Sequence, residues 1–312
     1  MGKPRIKKTL TLEELVGQKR LVQFQQLQRL VTDHARSYLR SDGQSFDPER
    51  IKTIKKGCET LQRGQKRPAN FYCSEEGLWG YWCYHFVRNA YQATYILREH
   101  AWECRRDHLN IVQLGGGPAE DLIGILEHLS RPSGPKPPKV TYVSVDTGCW
   151  DSFLEEVRNK FLFTLFPELA VNLLDQCTID IGTEGLGHFI SPLPRQAELL
   201  VIVANTLVTS RGEDGLTSNT IVGAYVALVT TLAPPIHSLL IVEPSGMEDK
   251  VDDCLSEVAK ALSIDDENAI TSGSFLLRYK LESSDVQQEV FPNSNGKIEA
   301  LRCYGLLRHP PS

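Results

Sequence analysis

The chain has little of what would place it in a membrane or outside a cell. Its longest apolar stretch, Ile221–Leu232, is interrupted by polar residues and falls well short of the roughly 20 residues that a membrane helix needs. Met1–Lys8 is basic with no apolar segment behind it, so no secretory signal is expected. Ile6 stands where N-myristoylation after Gly2 requires Ser or Thr. There is no Cys-x-x-Cys pair among the eight cysteines, Cys58, Cys73, Cys83, Cys104, Cys149, Cys177, Cys254 and Cys303. Without that pair a zinc set built from Cys73, Cys83, His85, Cys104 and His108 has no motif behind it. Reduced thiols, mostly in the core, are the expectation for a chain without an export signal. These absences point to the cytoplasm or the nucleus, with no membrane partner and no metal.

What is present is unevenly charged. Residues 1–70 carry 16 Lys+Arg against 7 Asp+Glu, a net of +9, within a chain whose overall charge is −5. Such asymmetry suggests that the N-terminal part meets an anion, RNA or another polyanion, although pairing with the acidic remainder of the chain explains it equally well.

The pattern of apolar residues divides the 312 residues into a basic helical module (1–70), an aromatic helix (71–106) and an α/β domain (107–312) on which that helix packs. Thr11-x-x-Glu14 reads as a capping box opening a helix with Leu27, Leu30, Val31, Ala35, Tyr38 and Leu39 on one face. Asp47-Pro48 opens a second helix, which buries Ile51, Ile54, Cys58 and Leu61 and ends by Pro68. Ser74-Glu75-Glu76 caps a third, expected to run to about Arg105, with Trp79, Tyr81, Trp82, Tyr84, His85, Phe86, Tyr91 and Tyr95 along it. Polar tips on such a buried helix need partners, which singles out His85, Arg88 and Tyr91 as candidates for substrate contact.

Beyond Asn110 strands and helices alternate, the signature of a parallel sheet covered on both faces. Strands are expected at Asn110–Leu114, Thr141–Asp146, Cys177–Ile181, Leu199–Asn205 and Ser238–Glu243, with helices at Ala119–Leu129, Trp150–Leu174, Ser218–Leu232 and Glu248–Leu262. A closing pair, Ser274–Glu282 and Ile298–Arg308, is joined by a polar turn. No internal repeat is visible.

The first of those strands runs into Gly115-Gly116-Gly117-Pro118-Ala119-Glu120-Asp121 and then directly into a helical pattern. Glycines there let the chain turn sharply and let a ligand approach the backbone, while the free N–H groups of the helix start favour an anion. Glu120 replaces the third glycine of the dinucleotide fingerprint and puts a carboxylate where a pyrophosphate would lie. A nicotinamide-dependent oxidoreductase is therefore disfavoured. Asp146, at the tip of the next strand, offers a carboxylate suited to the two hydroxyls of a ribose.

Over about residues 107–309 the chain resembles the class I S-adenosylmethionine-dependent methyltransferases. The match is carried by the apolar strand, the glycine turn with an acid close behind it, and the order of the later strands. The resemblance implies a Rossmann-like, seven-stranded, mostly parallel sheet with an antiparallel last strand, preceded here by the helical module. It implies that Gly115, Gly116 and Gly117 wrap the methionine part of S-adenosyl-L-methionine and that Asp146, with Thr147 beside it, takes the ribose. Asp180 and Ile181 would then meet the adenine, and Asn205 and Thr206 would stand at the tip of the fourth strand, on the acceptor side. Gln113 replaces the usual acid before the turn, and Asp121 completes the set around it. Val-Ala-Asn205-Thr206 is neither the (D/N)-P-P-(Y/F/W) of base-amino methylation nor a cysteine nucleophile. Methyl displacement relies mainly on alignment, so no general base is assigned. Gln113 and the lack of an acceptor motif leave a second reading, a non-catalytic cofactor-binding or scaffold protein of the same fold.

Overall fold

The computed structural model describes residues 8–11, 18–40, 45–62, 67, 70–130, 138–178, 190–207, 216–264, 269–291 and 297–309. Its strands are β1 (Lys8–Thr11), β2 (His108–Leu114), β3 (Lys139–Val145), β4 (Val171–Leu173), β5 (Glu198–Ala204), β6 (His237–Pro244), β7 (Ile270–Lys280) and β8 (Lys297–His309). They form one sheet in the order β4-β3-β2-β5-β6-β8-β7-β1. The strands β4, β3, β2, β5 and β6 are mutually parallel, and β8 runs antiparallel between β6 and β7. This is the class I methyltransferase arrangement that the resemblance implied. One strand is added to it: β1 pairs in parallel with Phe275–Arg278 of β7 and extends the far edge.

Both faces of the sheet are buried, and the two-residue period of a strand sorts its side chains between them. Leu200, Ile202 and Ala204 of β5 join one hydrophobic cluster, while Leu199, Val201 and Val203 join the other. Helices α7 (Ser218–Leu232) and α8 (Glu248–Ala261) cover the second face. The first face is covered by α1 (Gln18–Leu39), α4 (Gln92–Glu99), α5 (Glu120–Leu129) and the aromatic α3, which runs through Glu75–Tyr81, a π turn at Trp82–Phe86 and a last turn Val87–Asn89. Phe24, Leu27 and Val31 of α1 share that cluster with Leu109 and Ile111 of β2. The N-terminal helices are thus part of the main core.

Several sequence expectations are corrected. Thr11 ends a strand, and the first helix is described from Gln18. The aromatic helix is not continuous to Arg105: it breaks at Ala90–Tyr91, where Gly124 of α5 comes so close that a Cβ there would lie 2.1 Å from the Ala90 carbonyl oxygen. The helix expected over Trp150–Leu174 is α6, made of Asp151–Glu156, a π turn Val157–Phe161 and Leu162–Leu165. It stops because Phe166 precedes Pro167 and is pushed out of helical geometry. A strand follows at Val171–Leu173; of the strand expected at Cys177–Ile181, Cys177 bridges Val145 and residues 179–181 lie outside the described residues. Two of the expected free thiols are joined, Cys73 to Cys149.

Among the described residues, Arg36, Arg40 and Lys56 of the N-terminal helices are paired within the chain. Arg36 bonds Asp285 at 2.7 Å and also reaches Asp33, and Arg40 lies 3.7 Å from Asp285. Lys56 on α2 (Pro48–Gln62) reaches Glu76 of α3 at 2.6 Å. No helix among the described residues is long and apolar enough to cross a membrane.

The cap over the sheet is positioned by backbone contact between α2 and α3. A Cβ added at Gly80 would stand 2.6 Å from the Gly57 carbonyl carbon, and one at Gly57 would stand 2.0 Å from the Glu76 carbonyl oxygen. Neither backbone can yield without separating the helices. Gly80→Ala is therefore expected to destabilise the fold by about 1–3 kcal/mol, read as a lowered urea midpoint; an unchanged midpoint would refute this packing.

Candidate functional site

The carboxyl ends of the parallel strands β2, β3, β5 and β6 lie side by side, and the recess they frame is the place where open α/β sheets bind ligands. Three residues of the turn after β2 take left-handed backbone angles: Gly115 (φ 69°), Gly117 (φ 48°) and Ala119 (φ 69°). Glycine is needed at the first for space as well, since a Cβ would meet the Thr206 hydroxyl at 2.6 Å. At Gly117 a Cβ would instead point at Glu120 Oε2, 3.3 Å away, and at the Tyr81 ring, 3.8 Å away, filling the recess itself.

Asp146 locks this turn in place. Its Oδ2 accepts from the Gly117 N–H at 3.0 Å and its Oδ1 from the Gly148 N–H at 2.6 Å. Burial raises its pKa, while the N–H groups of Gly117 and Gly148, the Trp150 indole and the Thr147 N–H favour the charged form. Gln176 holds the loop from the other side, donating to the carbonyls of Asp146 and Gly148 and accepting from the Trp150 N–H. An equivalent carboxylate secures the next loop: Glu243 Oε1, at the tip of β6, accepts from the Thr206 and Leu207 N–H groups at 2.8 and 2.9 Å. Between them Asn205 stands in a left-handed conformation (φ 56°), and its buried Nδ2 has no hydrogen-bond partner.

The roof comes from the cap. Tyr72, Tyr81 and His85 are each partly accessible. The Tyr81 ring lies 5.8 Å from Tyr72, 5.2 Å from Trp150 and 5.1 Å from His85. Its hydroxyl donates to Glu120 Oε1, to which Asn89 Nδ2 also donates at 3.4 Å. Burial pushes the Glu120 carboxyl up to about 7, against the lowering effect of Tyr81, of a backbone N–H and of Asn89. His85 sits in the π turn of α3. Burial, with the charges of Arg88, Arg302 and Arg67 around it, lowers its pKa to about 3, so it is neutral. Arg88 lies over the Tyr84 ring at 4.1 Å and Arg67 over the Tyr72 ring at 5.2 Å.

Of the candidates, Gly117 meets Asp146, Gly115 faces Thr206 beside Asn205, and His85 reaches the turn through Tyr81, whereas Arg88 lies over Tyr84; Gly116 and Thr147 flank these contacts in the chain. The structure corrects three candidates. Gln113 and Asp121 lie beneath the turn, bonded to each other at 2.8 Å, with the Tyr142 hydroxyl donating to Gln113 Oε1 at 2.7 Å. Both are fully buried, and their part is to support the turn from below. Tyr91 is buried in the core at the helix break, edge-on to Phe24 at 5.5 Å. Asp180 and Ile181 lie outside the described residues. The zinc set is scattered: Cys73 is in the disulfide, and His108 bonds Thr141 at the start of β2.

Sequence reading passed over Tyr72, Tyr81, Gln176 and the positive role of Glu120. The four-residue spacing of Tyr81 and His85 on one helix was the available signal for Tyr81. Gln176, in a strandless segment, gave none.

No protein-family model matches the chain, and no curated protein matches it. Solved structures match the chain at low identity and low structural similarity. The plantazolicin methyltransferase BpumL in complex with SAH is 11% identical, with 94% of this chain and 98% of that one covered and a TM-score of 0.34. A SAM-dependent methyltransferase of the DUF858 family from Leishmania major is 12% identical, covering 83% and 85%, with a TM-score of 0.39. A TehB-like SAM-dependent methyltransferase from Corynebacterium glutamicum is 11% identical, covering 67% and 84%, with a TM-score of 0.31. The fold of this chain rests on its own strand order.

The raised Glu120 pKa has a sign that can be tested. The folded state keeps this proton up to about pH 7, whereas the unfolded chain releases it near 4.5. The native state therefore binds more protons between these values, and raising the pH across them costs stability. Glu120→Gln is expected to lose less stability than the parent chain between pH 5 and pH 8. Parallel stability curves for the two proteins would contradict the assignment.

Proposed function

We propose that this chain is an S-adenosyl-L-methionine-dependent methyltransferase. The observation that carries the reading is the junction of a left-handed glycine turn with Asp146 at the ends of two adjacent parallel strands. The donor set fits the group. The absent Cβ of Gly117 leaves a cradle beside Glu120 and Tyr81 for the methionine part. Asp146 uses one backbone N–H on each oxygen, and the remaining lone pairs suit the two ribose hydroxyls. The unpartnered Asn205 Nδ2 provides a buried donor on the acceptor side.

The cofactor supplies an electrophilic methyl group on a sulfonium centre. The chain's own contribution is alignment and exclusion of water. Tyr72, Tyr81 and Trp150 form an aromatic wall against bulk solvent. Glu120, when ionised, places negative charge near the turn. His85 stays neutral and keeps a ring nitrogen free of an added proton.

For the acceptor, Arg67, Arg88 and Arg302 around His85 support an anionic molecule. The wider reading, RNA or another polyanion on the helices of residues 1–70, draws less support, since Arg36, Arg40 and Lys56 are paired internally. An RNA acceptor would show binding that falls steeply with salt.

The test is calorimetric binding of S-adenosylhomocysteine, followed by labelled methyl transfer into size-fractionated extract. The parent chain is expected to bind at one site and to label one fraction. Asp146→Ala is expected to weaken binding about 100-fold, through the lost ribose contacts and the freed Gly117 and Gly148 N–H groups. Binding without transfer to any fraction would favour the non-catalytic reading, and no binding would refute both.

A further inference from the structure

We infer that the Cys73–Cys149 disulfide is a reversible redox latch that holds the aromatic cap closed over the cofactor recess. The inference rests on the cofactor reading given above. The bond is the one disulfide among the described residues, whereas Cys58, Cys83, Cys104, Cys177, Cys254 and Cys303 are thiols. It joins segments 76 residues apart in sequence. Cys73 ends the 3-10 turn Phe71–Cys73 that leads into the cap helix, and Cys149 lies in the loop that begins with Asp146.

The two segments meet at the recess itself. The Cys149 N–H donates to the Tyr72 carbonyl at 3.0 Å, and Cys73 Sγ lies 3.8 Å from the Thr147 carbonyl oxygen. On the cap side the neighbour of Cys73 is Tyr72, whose ring packs against Trp150 at 5.7 Å and Tyr81 at 5.8 Å. On the loop side Asp146, Thr147 and Gly148 immediately precede Cys149. The latch thus spans the seam between the aromatic wall and the ribose carboxylate. Both cysteines are exposed, so a small thiol reaches the bond without unfolding the protein, unlike a disulfide buried in a core.

Opening proceeds by ordinary thiol–disulfide exchange. The thiolate of an external dithiol attacks one sulfur, forming a mixed disulfide and releasing the other cysteine as a thiolate, which takes a proton from water. The second thiol of the reductant then displaces the first cysteine. The pair has gained two electrons and two protons, and the reductant has become a disulfide. Closure is the reverse, with a disulfide such as oxidised glutathione accepting the two electrons. Once open, the loop remains held by Gln176, whereas the turn at residues 71–73 is tied to that loop by the Tyr72–Cys149 hydrogen bond and ring packing. The expected consequence is faster exchange of cofactor and product, with the fold retained.

Three measurements on the full chain test this. Differential alkylation with mass spectrometry should find Cys73 and Cys149 protected in protein prepared without reductant, and both labelled after dithiothreitol. The dissociation rate of S-adenosylhomocysteine should rise about tenfold on reduction, the direction in which most affinity changes act. Cys73→Ser and Cys149→Ser should show the fast rate in both conditions. Hydrogen exchange over residues 71–86 should increase on reduction, a readout that does not depend on the ligand. Free alkylation of both cysteines in the unreduced protein would overturn the latch. So would dissociation rates and cap exchange that are the same in oxidised, reduced and serine-substituted protein. If S-adenosylhomocysteine binds in neither redox state, the cofactor reading fails. The mechanical claim is then decided by hydrogen exchange alone, supported by a rise on reduction and overturned by none.

Discussion

A carboxylate at a strand tip that captures the N–H groups of the neighbouring loop is the interaction on which the rest of this structure depends. Asp146 does this from β3 to the glycine turn of β2, and Glu243 does it from β6 to the Thr206–Leu207 segment after β5. Parallel strands end with their loops side by side, and those loops carry backbone donors with no ladder partner. A buried carboxylate satisfies them in charge-assisted bonds. On the function proposed above, the Asp146 carboxylate also takes the ribose, so its removal is expected to affect the turn and the ligand together.

Around this framework polar groups are arranged in depth. Below the turn, Tyr142, Gln113 and Asp121 form a hydrogen-bonded chain closed off from water. Burial and the neighbouring Glu120 push the Asp121 carboxyl well up, with the Gln113 amide opposing. An ionised acid at position 113 would have faced Asp121 and Glu120 as a third carboxylate. A neutral amide, donating to Asp121 and accepting from Tyr142, accommodates the pair instead. The replacement that weakened the family pattern in sequence is thus explained by its partners. Above the turn, Glu120, which disqualified the dinucleotide reading, becomes the anchor for Tyr81 and so for the cap.

Local signals were enough for the sheet and the glycine turn. Alternating apolar runs, Gly115 through Gly117 and the position of Asp146 each have a short-range cause, and each lies where the sequence put it. The failures came where tertiary contact overrode local pattern. The aromatic helix breaks at Ala90–Tyr91 because α5 approaches at Gly124, a contact that no helical periodicity encodes, and Tyr91 is buried in the core at that break. Thr11-x-x-Glu14 has the form of a capping box, yet Thr11 pairs with Arg278 at a sheet edge. Pro167 was a readable signal for the end of α6 that hydrophobic periodicity masked. The union of Cys73 and Cys149 is invisible in spacing, since it arises from the docking of the cap on the Asp146 loop.

The account is tested most directly by a crystal structure of the chain with S-adenosylhomocysteine. It predicts the ligand across the carboxyl ends of β2 and β3, its ribose hydroxyls bonded to the Asp146 carboxylate and its amino-acid end against Gly117 and Tyr81. A ligand bound elsewhere, or with its ribose turned away from Asp146, would contradict it.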